Sequence, residues 1–434
     1  MYLYGGAAAI IVSFLIIGYF TNKAGTGLTY PTKALSNLNF LIKKPAINVL
    51  KGISVFLFLF TILTGLIGED SPYSNFNMTF FWIIFVLGFS YLTAFIGNIY
   101  TFINPFKVLV EYFEQITGEK IKGAFKYPEN LGYYPALFFY FLFIWIELFS
   151  QTFPRQLSLI LIQYTIINVV AVMLVGKDAW FKYGEFFSVF FRLIGKIAPV
   201  EYQKGKLYLR PPFIGLLKEK AEHFSLLLFI LFMLSSTAFD GFRSTLPWSK
   251  FYFQNFDDIL TPLLGARADI FFQTVGLLLS PLIFLVIYLI LVFLAKLITK
   301  TKAPILELCL QFALPLVPVA FVYNVAHYYT LILTEGQNIF RIISDPFGFG
   351  WNLFNTTGYE VNLSIIDANF TWHFQVALIL LGHIVGTYLA HLVALKIFPS
   401  HKKAMLSQFP MLLLMVIYTM IGLWILSQPI TSEM

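Results

Sequence analysis

The residues of this sequence best suited to chemistry are ionisable side chains inside or at the ends of long apolar runs. They are Glu147, Asp240, His327, His383 and His391. An ionisable side chain at membrane depth is costly and is often retained for a function, such as binding an ion or passing a proton. Neutral imidazole is the commonest metal ligand, and a carboxylate can act as a base or orient a histidine.

Two of these histidines lie on consecutive apolar runs. At about 1.5 Å per helical residue, His327 lies roughly 9 Å and His383 roughly 16 Å below the outer ends of their helices. Because consecutive spans run antiparallel, the two imidazoles could face each other in the outer half of a bundle. Gly382 and Gly386 flank His383 and would let another helix or a flat group approach closely. His391 lies two turns deeper and about 80° around the helix, too deep to share a ligand shell with His383.

Three interpretations of these side chains stay open. In the first, His327, His383 and His391 bind a transition metal or a haem. In the second, Glu147 and the same histidines form a path for protons or substrate. In the third, each histidine only hydrogen-bonds a neighbouring helix. Neither Cys-x-x-Cys-His nor His-x-x-x-His occurs, so no metal motif of fixed spacing selects the first interpretation.

A segment rich in glycine and aromatic residues follows the run that contains His327. It reads Ser-Asp-Pro-Phe-Gly-Phe-Gly-Trp-Asn-Leu-Phe at 344–354. It could fold as a lid over the mouth between the two histidine helices, with Asp345 and Asp240 supplying negative charge at the rim. Alternatively, it is an interfacial turn that belongs to an aromatic belt.

The composition places these side chains in a membrane protein. The chain has 434 residues, of which 58% are hydrophobic and only 12% are charged. A soluble domain carries about 25% charged residues, and the long apolar runs indicate a polytopic membrane protein that contacts the lipid bilayer. The net charge of +7 comes from basic residues spread over short loops, so it does not indicate nucleic-acid binding. Cys309 is the single cysteine, which excludes a disulfide within the chain.

The apolar runs predict an all-α fold, a bundle of ten transmembrane helices that forms a single domain over residues 1–434, because the backbone must satisfy its own hydrogen bonds in lipid. The predicted spans are 2–20, 53–68, 79–100, 134–153, 157–175, 224–240, 271–297, 305–333, 372–397 and 408–427. Segments 101–133 and 176–223 are predicted to be cytoplasmic, with helices that either lie in the headgroup plane or pack on the floor of the bundle. Segments 241–270 and 335–371 are predicted to be extracytoplasmic loops.

The basic residues predict the orientation. With the N-terminus outside, 24 of the 29 lysine and arginine residues fall in inner loops, as the positive-inside rule requires. Both termini are then extracytoplasmic, and we expect the protein in the cell (plasma) membrane. Four Asn-x-Ser/Thr triplets, at Asn77, Asn355, Asn362 and Asn369, fall on the predicted outer side and are candidate glycosylation sites.

Several short motifs that include these residues occur in a fixed order along the chain. They are Asn-Pro-Phe at 104–106, Tyr-Pro-Glu-Asn-Leu-Gly at 127–132, Trp-Ile-Glu-Leu at 145–148, Leu-Arg-Pro-Pro at 209–212, Phe-Asp-Gly-Phe at 239–242, Ala-His-Tyr at 326–328, Ser-Asp-Pro at 344–346, Gly-His at 382–383, Ala-His at 390–391, Ser-Gln at 407–408 and Gly-Leu-Trp-Ile-Leu-Ser at 422–427. Over roughly residues 95 to 427 the chain thereby resembles prokaryotic membrane proteins labelled fenitrothion-hydrolase-like. The resemblance implies a polytopic helical protein linked to hydrolysis of organophosphate esters. Phe106 and Leu392 depart from it, since the family usually has Trp and an acidic residue there, and the second departure removes an acidic neighbour of His391.

Three functions are compatible with these observations. The first is an integral membrane subunit with a buried His/Asp site, in which a metal-bound water attacks an ester and an acidic residue acts as base. The second is a proton-coupled transporter of a small solute. The third is a structural subunit of a larger complex, with other membrane subunits as partners. Walker, Gly-x-Ser-x-Gly and dinucleotide motifs do not occur in the sequence, so ATP-driven, serine-hydrolase and Rossmann chemistry have no support.

Overall fold

The structure is a computed structural model that describes residues 7, 11, 15, 32–203, 205–398 and 400–428. The predicted first span at 2–20 lies outside these residues apart from the three isolated positions, and so does the end of the chain.

The described residues are mostly helical. In chain order the helices are α1 (Lys44–Ile67), α2 (Phe76–Ile96), α3 (Tyr100–Ile103), α4 (Pro105–Thr117), α5 (Tyr134–Phe149), α6 (Pro154–Val175), α7 (Lys177–Tyr183), α8 (Phe186–Gly195), α9 (Phe224–Arg243), α10 (Leu246–Asn255), α11 (Asp257–Leu264), α12 (Ala268–Thr299), α13 (Ile305–Leu333), α14 (Asn338–Ile342), α15 (Ala368–Ile397) and α16 (His401–Leu426). By length and composition, the part of the chain that the structure describes contains nine helices able to cross a membrane. They coincide with the predicted spans from 53–68 onward, which confirms an all-α membrane bundle.

The largest difference in bounds is in α1, which begins at Lys44 rather than at residue 53. The predicted span stopped short because Lys51 interrupts the apolar run. In the structure Nζ of Lys51 lies 2.5 Å from Oε2 of Glu111 on α4. A paired lysine near the end of a helix costs much less than an isolated one in lipid, so the helix continues through this position.

One compact unit consists of residues 30–215 and 328–368. In it α1 packs against α6, and α8 packs against α2 and α5. This unit also contains a small antiparallel sheet with the order β1-β3-β2, in which β1 is Lys33–Ala34, β2 is Val200–Gln203 and β3 is Lys206–Leu209.

The burial of helix α8 shows whether the segment around residues 183–194 lies in the headgroup plane or packs on the bundle. Seven of its ten residues are buried, whereas a helix in the headgroup plane would leave one face in water. The side chain of Glu185 caps its first turn, accepting from the backbone N–H groups of Phe187 at 3.0 Å and Ser188 at 2.8 Å. This helix is therefore packed into the bundle, with the cap filling two backbone donors that burial would otherwise leave unsatisfied.

The other compact unit includes the described residues within 216–327 and 369–428. Helix α9 is its most enclosed element, with fifteen of twenty residues buried, and α12 packs against both α9 and α16. Hydroxyl groups join these helices: Tyr288 donates to the carbonyl of Cys309 at 2.7 Å, and Tyr418 donates to the carbonyl of Phe284 at 2.9 Å. In lipid, where apolar burial does not drive helices together, such bonds and close packing hold the unit together.

Candidate functional site

The structure brings two predicted site residues together at the end of α9. Nε2 of His327, on α13, lies 2.8 Å from Oδ2 of Asp240, on α9. Nε of Arg243, one turn further along α9, donates to Oδ1 of the same carboxylate at 3.0 Å. Asp240 is only 8% exposed. The Asp240–His327–Arg243 cluster, as we name it, therefore holds a buried carboxylate between two basic side chains.

The position of Asp240 in its helix explains why it needs these partners. A carboxylate in the last turn faces the negative end of the helix dipole, which disfavours its charge. Arg243 lies three residues later on the same helical face and offsets this effect. Gly241 makes room beside them, because a Cβ atom there would lie 2.8 Å from Cγ2 of Ile425 and 3.7 Å from Cε1 of His327.

A line of polar contacts continues outward from the cluster. Nη1 of Arg243 donates to Oε1 of Gln273 at 3.3 Å, and Nε2 of Gln273 donates to Oδ2 of Asp269 at 2.7 Å. Asp269 is exposed at the start of α12. The cluster is therefore connected through hydrogen bonds to the surface of its unit. Sequence reasoning missed Arg243 as a site residue, although its three-residue spacing from Asp240 on a helix was a usable signal.

A small cavity lies beside His327. Its volume is about 20 Å³, and its lining includes Thr237, Tyr323, Gly422 and His327. A space of about 10–15 Å³ is enough for one water molecule when polar groups are at hand. The imidazole of His327 and the hydroxyl of Thr237 are such groups. The geometry therefore permits one water next to the histidine, but not a bulky ester.

His383 has a different environment from that of His327. It is fully buried, and its Nδ1 lies 3.0 Å from Oγ1 of Thr419 on α16. The close helix approach predicted from the neighbouring glycines is confirmed: a Cβ atom on Gly382 would lie 2.1 Å from Cγ2 of Val322 on α13. These contacts fit the interpretation in which the histidine joins helices.

A shared metal site of His327, His383 and His391 receives no support from the described residues. Among them, no group of three or more His, Cys, Asp or Glu side chains is placed to hold a metal ion. His391 is itself buried in α15, with 3% of its surface exposed. His327 already points one ring nitrogen at Asp240, and His383 points one at Thr419.

Glu147 and Asp345 belong to the other compact unit. Glu147 is partly buried near the end of α5. Both oxygens of Asp345 accept hydrogen bonds from its own loop, from the N–H of Phe349 at 2.9 Å and from the N–H of Gly350 at 2.7 Å. The ring of Trp351 lies 5.8 Å from that of Phe349. Asp345 therefore shapes the glycine- and aromatic-rich turn that contains it.

The fold disfavours one of the four predicted glycosylation sites. Asn77 is fully buried, and its Nδ2 donates to the carbonyl of Pro154 at 2.8 Å and to Oγ of Ser158 at 3.3 Å. A glycan attaches to that nitrogen and requires exposure. The sequence pattern could not reveal that this amide joins two helices. The other three asparagines are exposed, and their modification stays a prediction; they are Asn355, Asn362 and Asn369.

Sequence reasoning also missed a polar cluster around Glu185. This carboxylate is fully buried and accepts five hydrogen bonds, from the hydroxyls of Tyr164 and Ser188, from the amide of Asn104 and from two backbone N–H groups. Burial raises the pKa of Glu185, and hydrogen bonds from Ser188 and Tyr164 oppose that change. The cluster joins α4, α6 and α8.

Comparisons of the chain with protein-family profiles, with curated proteins and with solved structures gave no match.

Proposed function

We propose that the protein is a multi-pass membrane protein that binds and releases a proton at the Asp240–His327–Arg243 cluster while it moves a small solute. The observation that carries this proposal is the 2.8 Å contact between His327 and Asp240. Ionisable pairs at membrane depth commonly mark ion or proton pathways. The predicted orientation would place this pair in the outer half of the bundle.

Because Asp240 has Arg243 as a second basic partner, His327 can gain or lose a proton without leaving the carboxylate unpaired. When His327 is protonated, Asp240 faces two cations. When His327 loses its proton, Asp240 keeps the ion pair with Arg243 at 3.0 Å. Leaving a buried charge without a partner is strongly destabilising, and this arrangement avoids it in both protonation states. The water-sized cavity beside the imidazole supplies a place for the proton donor or acceptor.

Proton binding is tested directly by ¹⁵N NMR of histidine-labelled protein in nanodiscs, recorded as a function of pH. We expect the histidine signal that disappears in His327→Gln to change with pH in the wild-type protein. His373→Gln is the matched control, because His373 is exposed and its Nδ1 contacts the carbonyl of Asn369 in its own helix. A wild-type spectrum in which the His327 signal stays unchanged from pH 4 to pH 9 would refute proton exchange at this site.

Coupling to a solute is tested in proteoliposomes that enclose a pH-sensitive dye. A panel of amino acids, sugars, carboxylates and inorganic phosphate is added outside. We expect one class to change the internal pH in wild-type vesicles and in His373→Gln vesicles, but not in His327→Gln or Asp240→Asn vesicles. A solute-dependent signal that survives both site variants would contradict the proposal.

Ester hydrolysis is a second candidate, favoured by the orientation of the His327 ring. A histidine held by a carboxylate at one nitrogen can take a proton from a water at the other. This matches the resemblance to fenitrothion-hydrolase-like proteins. The 20 Å³ cavity would have to open to admit an organophosphate. Release of nitrophenol from a nitrophenyl phosphotriester that depends on both Asp240 and His327 would favour this function over transport.

A further inference from the structure

We propose that the unit of residues 30–215 and 328–368 binds a neutral, lipid-soluble carbonyl compound with a flat ring, of the quinone type, in an aromatic cavity beside the Tyr100 hydroxyl. This inference goes beyond the proposed proton site and does not depend on it. It rests on a cavity, on a buried hydroxyl without a partner and on an unusual helix in the cavity wall.

The cavity has the size and the walls of a ligand pocket. Its volume is about 380 Å³, and pockets for small ligands run from about 300 to 1,000 Å³. Side chains of α1, α2, α4 and α8 line it, including Phe58, Phe81, Phe106 and Phe187. None of the lining residues carries a charge. Phenylalanine rings favour flat aromatic partners through stacked and edge-on contacts, so a neutral ring compound suits these walls.

Among the polar lining residues, Tyr100 is the one whose side chain has no hydrogen bond within the described part of the chain. The hydroxyl of Ser54 donates to the carbonyl of Ile103, and that of Thr61 donates to the carbonyl of Leu57 at 2.7 Å. Tyr100 is 1% exposed, and its hydroxyl has no hydrogen-bond partner among the described residues. A buried donor without a partner is costly. A carbonyl oxygen on the ligand would accept this hydrogen bond.

One wall of the cavity is a π-helix of ten residues, Thr79–Gly88, within α2. Phe80, Phe81, Ile84 and Phe85 of this segment line the cavity. π-Helical turns are rare and occur frequently at functional sites. An ordinary α-helix would place these four side chains at different angles, so the π-helix contributes directly to the shape of the wall.

The cavity is accessible from the apolar surface of the unit. Leu50 and Ile53 of α1 and Leu92 of α2 line it, and each keeps 43–49% of its surface exposed. A molecule dissolved in lipid could enter between α1 and α2. A phospholipid acyl chain could enter by the same route, but it brings no acceptor for Tyr100 and would bind through its apolar contacts alone.

The test compares two probes of similar shape, a 2-alkyl-1,4-naphthoquinone and the corresponding alkylnaphthalene. Native mass spectrometry of the full-length protein released from micelles measures the binding of each. We expect the wild-type protein to bind the quinone about tenfold more tightly than the hydrocarbon. Tyr100→Phe should remove this difference by weakening quinone binding only. Tyr73→Phe is the control, because Tyr73 is 69% exposed and does not line the cavity.

A second variant tests the location. Ile84→Trp fills the cavity and should abolish binding of both probes, whereas Ile96→Trp, on the exposed surface of the same helix, should not. Equal affinity of the wild-type protein for both probes would show a site for hydrocarbon chains only and overturn the proposal. Quinone binding unchanged by Tyr100→Phe would overturn it as well. If Ile84→Trp does not give folded protein by size exclusion and circular dichroism, Tyr100→Phe alone decides.

Discussion

Replacing one glycine by alanine tests the packing next to the Asp240–His327–Arg243 cluster. Gly422 lies on α16 and faces the ring of Tyr323 on α13. A Cβ atom on Gly422 would lie 1.8 Å from the hydroxyl oxygen of Tyr323 and 2.1 Å from its Cζ. These separations are far below van der Waals contact, so the ring has to move. Both residues also line the cavity beside His327.

The expected cost follows from three contributions. Overpacking of a filled interior costs about 1–3 kcal/mol. Moving the ring also breaks the hydrogen bond from the Tyr323 hydroxyl to the carbonyl of Tyr418, at about 1 kcal/mol. Alanine recovers about 1 kcal/mol through its higher helix propensity. We therefore expect Gly422→Ala to lower the free energy of unfolding by about 1–3 kcal/mol.

Gly52 provides a control of opposite sign. It lies inside α1, and a Cβ atom there would meet nothing within 4 Å. Gly52→Ala should therefore raise stability by about 0.5–1 kcal/mol. Both variants are measured by reversible denaturation with SDS in mixed micelles, followed by helical circular dichroism. If Gly422→Ala changed stability in the same direction as Gly52→Ala, the close contact of α13 and α16 would be refuted. Tyr323→Leu should restore stability to the Gly422→Ala background.

Two further outcomes follow from other contacts. Burial raises the pKa of Glu114, but the hydrogen bonds from Lys177 and from the N–H of Ile121 outweigh it, and the net pKa is lowered. The stability that this carboxylate contributes is therefore complete above its unfolded pKa of about 4.3 and is lost as the pH falls through the folded pKa. Lys177→Met should make the free energy of unfolding fall less steeply with acid. Unfolding curves recorded from pH 6 to pH 3 measure this change. Asn77→Gln should leave the glycan mass unchanged in a host that N-glycosylates, because the amide of Asn77 is buried between helices. A loss of mass on a gel would show that this amide is accessible and would contradict its burial.

Much of the fold was predictable because the cause of a membrane span is local. A run of about twenty apolar residues must close its own backbone hydrogen bonds in lipid, so length and composition alone select a helix. Helix caps are local as well: at the start of α4, the side chain of Asn104 accepts a hydrogen bond from the N–H of Lys107 at 3.1 Å. The start of α1 was not readable, since it depends on a partner for Lys51 that lies 60 residues away.

The site was predictable only as a set of candidates. Asp240, His327 and His383 stood out as ionisable groups in apolar runs, but residue type could not show which of them meet. The structure pairs Asp240 with His327, across 87 residues, and gives His383 a threonine partner instead. The aromatic cavity was not anticipated at all, because a π-helix has no sequence signature that distinguishes Thr79–Gly88 from an ordinary apolar helix.

The sequence by itself therefore determined the membrane class, most of the spans and a predicted orientation from its basic residues. Only the tertiary structure decided which face of each helix packs against other helices and which faces lipid. The physical reason is that these spans are apolar on nearly every face, so hydrophobic periodicity does not distinguish a surface that faces lipid from one that faces another helix. Close packing at Gly382 and Gly422, and hydrogen bonds such as that of Asn77, make this choice. The same choice places Asp240 against His327 and puts Tyr100 among the residues that line the aromatic cavity.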